Sequence, residues 1–68
     1  MKIKLRDDFI KLGQALKAAG LVGSGAEAKE VIAEGKVFVN HEAETRRGKK
    51  LYSGDIVEYD GEKVEIED

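Results

Sequence analysis

The stretch that decides the fold runs from residue 11 to residue 40 and reads KLGQALKAAGLVGSGAEAKEVIAEGKVFVN. Four of its apolar residues recur at i, i+3, i+4 and i+7, the spacing of one helical stripe: Leu12, Ala15, Leu16 and Ala19. Gly20 follows at the position where a left-handed glycine commonly ends a helix. The start of this first helix is left open between Asp8, a good capping residue, and Lys11.

A second helix is predicted to begin after Ser24. Ser24 and Glu27 have the spacing of a capping box, in which each side chain accepts a hydrogen bond from the other residue's backbone N–H. Three apolar residues form the buried stripe of this helix: Ala28, Val31 and Ile32. Gly35 is predicted to end it. Helices of about ten residues are marginal alone, so both are expected to pack on a sheet.

Outward from this stretch, the C-terminal part of the chain predicts a β-hairpin. Asp60-Gly61 joins two alternating runs, residues 56–59 and 62–66, as a two-residue turn. That loop length pairs Val57 with Val64 across the two strands. It also places four residues on one face: Val57, Tyr59, Val64 and Ile66.

Shorter strands are predicted elsewhere. Met1–Leu5 alternates between apolar and basic residues, and Val37–Val39 favours a strand that Asn40-His41 can turn. Residues 42–50 are polar and irregular, and strand propensity resumes at Leu51-Tyr52. The element order indicates an α+β fold, with two short helices packed on a small, mainly antiparallel sheet that ends in a hairpin.

Composition limits the class of protein. With 68 residues, of which 38% are charged and 41% hydrophobic, we expect one globular domain over residues 1–68. The chain has no Cys and one His, which excludes a disulfide framework and a Cys- or His-rich metal site, and no cofactor is expected. It also has no long apolar run and no signal peptide, so we expect a cytoplasmic protein without a membrane contact. A monomer is expected as well.

Catalytic patterns are scarce. Ser24 and Ser53 are the only serines, and neither lies in a nucleophile elbow. The glycine-flanked Ser24 could present backbone N–H groups to an anion, but the spacing of a P-loop is missing and a helix cap is the plainer interpretation. His41 lies in a predicted turn, where a solvated surface position is expected. No catalytic residue is assigned, and the chain is not expected to be an enzyme.

Charge is unevenly distributed along the chain. Residues 1–28 carry five basic and three acidic side chains, residues 29–50 carry six and four, and residues 51–68 carry one and seven. The pI of about 5.4 argues against an anionic partner. Polyanions are bound by local patches, however, so the positions of the basic residues matter more than the net charge.

Two basic patches favour a nucleic-acid partner. Four cations fall within one short run that contains no acid: Arg46, Arg47, Lys49 and Lys50. Arg matches phosphate with a planar fork of donors, and Lys offers a mobile charge. Lys29 lies among small residues on one flank of the second helix, and the first helix carries Lys11 and Lys17 without an acid. Ordinary surface ion pairing is the alternative for both patches.

Phe38 is the aromatic candidate. If Val37 and Val39 face the helices, Phe38 points the other way, because side chains alternate along a strand. An exposed aromatic ring on a sheet can stack on a base. It can equally pack under a Lys stem or a second layer.

One combination of motifs is specific to a family. The Ser-capped helix continues with Ala-Lys, an apolar pair, Glu-Gly, Val-x-Val-Asn and then Gly-Asp before the next strand. Over residues 11 to about 60 this combination resembles the S4-type RNA-binding domain, first described in ribosomal protein S4. The flanking IKLGQ and TRRGKKLYSGD are similar to the short stand-alone bacterial members of the YaaA/YbcJ type.

The resemblance implies a fold, a partner and a set of contacts. The two helices would form an L-shaped motif backed by the sheet, with a basic outer surface that contacts structured RNA. The expected RNA contacts are Lys11, Lys29, Lys36, Asn40, Arg46, Arg47, Lys49 and Lys50. Gly13, Gly25 and His41 depart from the family's common Asp, Arg and Gly, and the missing Arg moves more of the charge onto residues 46–50.

The sequence therefore predicts a non-catalytic module that recognises structured RNA, ribosomal or ribosome-associated, by its shape and phosphates. The alternative is a protein-interaction module that docks on a ribosomal or replication partner without touching RNA. Charge reversal of Arg46 and Arg47 would separate the two, because only the first loses its partner through lost phosphate contacts.

Overall fold

Both helices form where the apolar stripes predict them, in a computed structural model that describes all residues 1–68. The first helix, α1, spans Leu12–Ala18 and the second, α2, spans Gly25–Ala33. The predicted stripe of α2 is its set of buried residues, and in α1 Leu12, Ala15 and Leu16 are buried. Ala19, the fourth residue predicted for the α1 stripe, follows the helix and is only partly buried. Gly20 and Gly35 follow with φ of +74° and +77°, which confirms the left-handed ends.

Seven short strands complete the fold: β1 Lys2–Lys4, β2 Ile10–Lys11, β3 Val37–Val39, β4 Glu42–Ala43, β5 Lys50–Leu51, β6 Ile56–Tyr59 and β7 Glu62–Glu67. Five of them form one sheet in the order β1-β7-β6-β3-β4, and β2 pairs with β5 as a separate ribbon. Every pair is antiparallel except β1 with β7. The predicted α+β architecture with a mainly antiparallel sheet is therefore confirmed.

Both predicted two-residue turns are present. In the β6–β7 hairpin, Val57 pairs with Val64, in the predicted register. Asp60 and Gly61 have φ of +52° and +80°, as a primed turn requires. Asn40 also has positive φ, and it and His41 turn β3 into β4.

One core of 13 buried hydrophobic residues lies between the helices and the sheet. The strands contribute Val37, Val57, Val64 and Ile66 from one face of the sheet. Because side chains alternate, Glu58 and Glu65 project from the opposite face, which carries no helix. The helices therefore lie on one side of the sheet and these acidic side chains on the other.

Three local expectations need correction. Glu27 accepts a hydrogen bond from the N–H of Gly23 at 2.7 Å, one residue before the Ser24 N–H that a capping box would use. Residues 42–50 are not wholly irregular, because β4 continues the hairpin that Asn40 begins. Strand β5 starts at Lys50 rather than Leu51, and it pairs with β2 outside the main sheet.

Neither helix has the length and apolar character needed to span a membrane.

The structure also resolves where α1 begins. Lys11 is the last residue before the helix, and its backbone N–H donates to Oε1 of Gln14 at 3.2 Å. A start at Asp8 is excluded because Ile10 and Lys11 are extended and paired with β5. No aspartate caps the helix, and the next two N–H groups find partners in a distant loop.

Candidate nucleic-acid interface

The basic segment 46–50 is held against the first turn of α1 by backbone hydrogen bonds. The N–H of Leu12 donates to the carbonyl of Lys49 at 2.9 Å, and the N–H of Gly13 donates to the carbonyl of Arg47 at 3.1 Å. These are N–H groups that a helix cannot satisfy internally. The segment therefore has a fixed path across the start of the helix.

Gly13 lets Arg47 cross the helix closely. A Cβ at residue 13 would lie 2.8 Å from Cγ and 3.3 Å from Cδ of Arg47. Carbon atoms in contact prefer about 3.5–4.0 Å, so the stem of Arg47 occupies the space that a side chain would fill. The Gly at this position, where the resemblance implies an Asp, thus has a packing reason.

A groove of about 370 Å³ opens where α1, α2 and this segment meet. Its lining residues are Lys11, Gly13, Gln14, Lys17, Gly25, Ala28, Arg47 and Gly48. Three are cations, none is acidic, and no ion pair engages Lys11, Lys17 or Arg47. We call these residues the basic groove.

Small residues make the basic groove accessible. Gly25 has nothing within 4 Å of the place where a Cβ would stand. The absence of a side chain at residue 25, where the resemblance implies an Arg, leaves open space at the start of α2. Lys29 lies one turn further along α2 on the same side as Gly25, since residues four apart are neighbours on a helix. It therefore extends the positive charge along α2.

Arg46 is the member of the basic segment that is held by a carboxylate. Its Nε and Nη2 donate to Oε2 and Oε1 of Glu44 at 2.9 and 3.1 Å, and its backbone N–H donates to Oε2 at 3.0 Å. These bonds to Arg46 lower the pKa of Glu44 to about 2, and the same carboxylate raises the pKa of Arg46. Arg46 thus orders the segment, and Glu44 offsets part of its charge.

Lys49 and Lys50 lie beside Arg46 in a neighbouring depression of about 410 Å³. Unlike the basic groove, this depression contains three carboxylates: Glu42, Glu44 and Asp55. Lys50 is also the cross-strand partner of Lys11. The depression and the basic groove therefore meet along the β2–β5 ribbon.

Two expected contacts lie apart from the groove and have partners within the protein. Lys36 Nζ lies 3.2 Å from Oε1 of Glu34, which raises the pKa of Lys36. Asn40 donates from Nδ2 to Oδ1 of Asp55 at 3.1 Å, and its Oδ1 accepts the N–H of Ile56 at 2.9 Å. Their roles toward RNA stay predictions.

Phe38 and His41 lie near the helix-free face of the sheet. Phe38 is 40% exposed and pairs across the sheet with Glu58. His41 is exposed, as predicted, and its Nδ1 lies 3.1 Å from Oε1 of Glu58. No three His, Asp or Glu side chains come together as ligands for a metal ion.

Two residues outside the expected set of RNA contacts also line the basic groove: Gln14, and Lys17, which the sequence analysis noted only as part of a basic patch. With Lys11 they are spaced by three residues along one side of α1. That spacing, opposite the buried stripe, was the available signal. The spacing alone does not show that these side chains share a groove with Arg47, because that depends on how residues 46–50 cross α1.

The chain is similar to known proteins over most of its length. The family model described as "S4 domain" matches residues 3–67. "Probable ribosome maturation protein RlbA" of Bacillus subtilis (strain 168) is 48% identical over 59 residues, which cover 87% of this chain and 83% of that protein. "Putative RNA-binding protein YbcJ" of Escherichia coli (strain K12) is 40% identical over 57 residues, which cover 84% of this chain and 81% of that protein.

A solved structure shares the architecture. It is the solution structure of YbcJ from E. coli, described as revealing an alfaL motif involved in RNA-binding. The match has a TM-score of 0.76 at 35% identity and covers 98% of this chain and 86% of that one. The family model, the relatives and the shared fold confirm the resemblance that the motifs indicated. The chain belongs to the S4 domain family.

Proposed function

We propose that this chain is a non-catalytic RNA-binding module that holds structured RNA by its backbone phosphates in the basic groove. The observation that carries the proposal is the convergence of Lys11, Lys17 and Arg47 without a carboxylate. Phosphate neutralisation by Lys and Arg supplies most of the affinity in such interfaces. The open space at Gly25 lets a sugar-phosphate backbone approach α2 closely.

Other cations extend the contact area beyond the groove. Lys29 continues it along α2, and Lys49 and Lys50 continue it along the ribbon. Lys36 joins by exchanging the exposed carboxylate of Glu34 for a phosphate, which costs little because surface ion pairs are weak. Arg46 joins only by leaving a largely shielded carboxylate, since the Glu44 side chain is 13% exposed. Asn40 would bind RNA only at the edge of this contact area, and it would first have to break its hydrogen bonds to Asp55 and Ile56.

Structured RNA of the ribosome is the proposed target. The name of RlbA refers to ribosome maturation, and YbcJ is named for RNA binding. The basic groove suits the phosphates that flank an A-form helix, because the deep major groove of such a helix is too narrow for side chains. Recognition would then follow RNA shape more than base sequence.

Salt dependence tests the proposal. If about four to six phosphates are neutralised, the plot of log affinity against log salt should have a slope of roughly −3 to −5. Lys17→Gln and Arg47→Gln should each weaken binding to a ribosomal RNA fragment and each reduce the slope by about one. Lys63→Gln is the matched control, because it removes the same charge from the helix-free face of the sheet.

Two results would contradict the proposal. One is a slope near zero, which would mean that phosphates contribute nothing. The other is equal loss of binding by Lys63→Gln and Arg47→Gln, which would mean that net charge rather than the groove holds the RNA. Unchanged capture of a protein partner from nuclease-treated extract by an Arg46→Glu and Arg47→Glu variant would instead support the protein-docking alternative.

A further inference from the structure

The outer face of the β2–β5 ribbon presents two aromatic and two basic side chains together. Lys11 pairs with Lys50, and Ile10 pairs with Leu51, which is fully buried. Because side chains alternate along a strand, Lys50 projects to the side opposite Leu51. Phe9 and Tyr52 lie just beyond the paired residues, and their ring centroids are 6.1 Å apart at an interplanar angle of 52°.

The two lysines of this array attract an anion, and the carboxylates of Glu42, Glu44 and Asp55, which line the same depression as Lys50 and Tyr52, oppose it. Lys11 and Lys50 are opposed across the ribbon, and like charges in directly opposite positions are destabilising. The ammonium of Lys50 lies 4.8 Å from the ring centroid of Phe9, which offsets part of that repulsion. A phosphate near both lysines would remove the rest. Lys11 also lines the basic groove, so a strand held there has a direct continuation onto the ribbon.

Tyr52 is exposed and yet held in place. Half of the Tyr52 surface is exposed to solvent, whereas Tyr is on average an intermediate residue between core and surface. Its N–H donates to Oδ2 of Asp55 at 2.8 Å, and its carbonyl accepts the N–H of Asp55 at 3.0 Å. The half-buried ring of Phe9 supports it from one side. The hydrogen bonds fix the backbone of Tyr52 and Phe9 supports its ring, which reduces the conformational entropy lost when a flat partner binds.

We infer that Tyr52, supported by Phe9, stacks on an unpaired nucleobase of the RNA whose phosphates lie on Lys11 and Lys50. The inference rests on the proposed function and narrows its ligand to RNA in which a paired stem adjoins unpaired nucleotides. Paired bases are already stacked within a duplex, so only an unpaired base can take this position. We expect no preference among the four bases, because each base has a π face that can stack on the ring.

Affinity for two RNA probes tests the inference. One probe is a ribosomal RNA hairpin with an unpaired loop, and the other is a blunt duplex of the same stem. Tyr52→Leu should weaken binding of the hairpin by about tenfold, the usual effect of losing one base–aromatic stack. It should leave duplex binding and the salt slope unchanged. Tyr52→Phe keeps the ring and should bind both probes as the unmodified protein does.

Fluorescence gives a second measurement that does not depend on the stability of Tyr52→Leu. The chain has two tyrosines and no tryptophan, so Tyr59→Phe leaves Tyr52 as the only tyrosine. Its emission should be quenched by the hairpin and not by the duplex. Equal emission with both probes overturns the inference, as does hairpin binding by Tyr52→Leu at full strength.

Failure of the inference can be told from failure of the proposed function. If Lys17→Gln and Arg47→Gln weaken binding while Tyr52 emission is unaffected by the hairpin, RNA lies in the basic groove without stacking on the ribbon. If neither the groove variants nor Tyr52→Leu change the binding of either probe, both proposals are wrong. If Tyr52→Leu weakens binding of hairpin and duplex equally, the ring supports the fold rather than a base.

Discussion

At the scale of single residues, Gly13 shows how an absent side chain can shape the site. Gly within a helix costs about 0.5–1 kcal/mol relative to Ala, so its presence in α1 needs a reason. The reason is the stem of Arg47, which passes through the space where a Cβ would lie. A position that is unfavourable for helix stability is used to position a cation of the basic groove.

Gly13→Ala is therefore predicted to separate stability from RNA binding. The added methyl group would lie 2.8 Å from Cγ of Arg47, so that side chain must leave its present path from its first torsion onward, and this cost opposes the gain from the helix preference of Ala. We expect the free energy of unfolding to stay within about 0.5 kcal/mol of its original value and RNA affinity to fall severalfold. Urea denaturation and RNA titration measure the two effects.

A double-mutant cycle identifies the cause of that loss. If Gly13→Ala acts through Arg47, it should change RNA affinity little when Arg47→Ala is already present. Equal effects of Gly13→Ala in the two backgrounds would mean that the methyl group blocks the groove itself. The Arg47 explanation would then be wrong.

Glu44 gives a prediction for pH. Its pKa is about 2 in the folded chain against an ordinary 4.5, so the unfolded chain takes up the proton first as pH falls. The stabilisation from the Glu44–Arg46 pair is then fully present above about pH 4.5 and is lost between about pH 4.5 and 2. Because Arg46 is exposed and solvent screens the pair, we expect a loss of about 1 kcal/mol.

The measurement compares urea unfolding of the unmodified chain and of Glu44→Gln at several pH values. Their difference in unfolding free energy should shrink as the pH falls through this range. Glu42→Gln is the matched control, since it removes an exposed carboxylate that makes no ion pair two residues away. If the Glu42→Gln comparison shows the same pH dependence, the pairing with Arg46 is not its cause.

At the scale of elements, the start of α2 is fixed by two side chains. Oγ of Ser24 accepts the N–H of Glu27 at 3.1 Å, and the Glu27 carboxylate accepts the N–H of Gly23 at 2.7 Å. The first bond satisfies a donor that a nine-residue helix would otherwise leave to water, and the second ties the residue before the N-cap to the first turn. They also fix the turn that leads from α1 into α2, where Gly25 opens onto the basic groove.

Ser24→Ala should destabilise the fold without touching a proposed phosphate contact. Loss of an N-cap typically costs about 1 kcal/mol, which lowers Tm by about 4–8 °C in a domain of this size. Thermal unfolding followed by circular dichroism measures the shift. Ser53→Ala, in an exposed turn, should leave Tm unchanged. A Tm for Ser24→Ala equal to that of the unmodified chain would show that Glu27 alone holds the turn.

Elements with local signals were predicted, and those that depend on distant partners were not. The β6–β7 register follows from a two-residue turn and strict alternation, both of which lie in consecutive residues. Strands β2 and β5 have two residues each, too few to carry a period of their own, and they pair across both helices and most of the chain. Strand β4 was missed although its partner β3 is close in the sequence, because its two exposed residues are too few to show an alternating pattern.

The candidate site likewise has features that the sequence predicts and features that only the structure shows. The run at residues 46–50 was visible as a cluster of like charges, and Arg47 lies in the groove. The pairing of Arg46 with Glu44 depends on side-chain geometry that charge counting does not show. The role of Lys17 depends on the crossing of Arg47 over Gly13, which joins residues far apart in the sequence.

At the scale of the whole molecule, the fold separates opposite charges over a short distance. The basic groove lies where the helices meet, and Glu58 and Glu65 project from the sheet face that carries no helix. The protein measures 28 × 22 × 19 Å. At about 0.15 M salt the Debye length is about 8 Å, so RNA in the groove is largely screened from the far face. At about 0.01 M it is about 30 Å, and RNA then interacts with the whole net charge of −2.

The plot of log RNA affinity against log salt should therefore bend at low salt, with affinity rising less than the slope at higher salt predicts. The variant with Glu62→Gln and Glu65→Gln removes two exposed carboxylates and brings the net charge to zero, so its plot should stay straight to lower salt. Lys63→Gln changes the net charge in the other direction and should deepen the bend. Filter binding from about 0.01 to 0.3 M salt measures all three plots. If they run parallel throughout, the acidic residues have no influence on RNA, and the groove acts independently of the rest of the molecule.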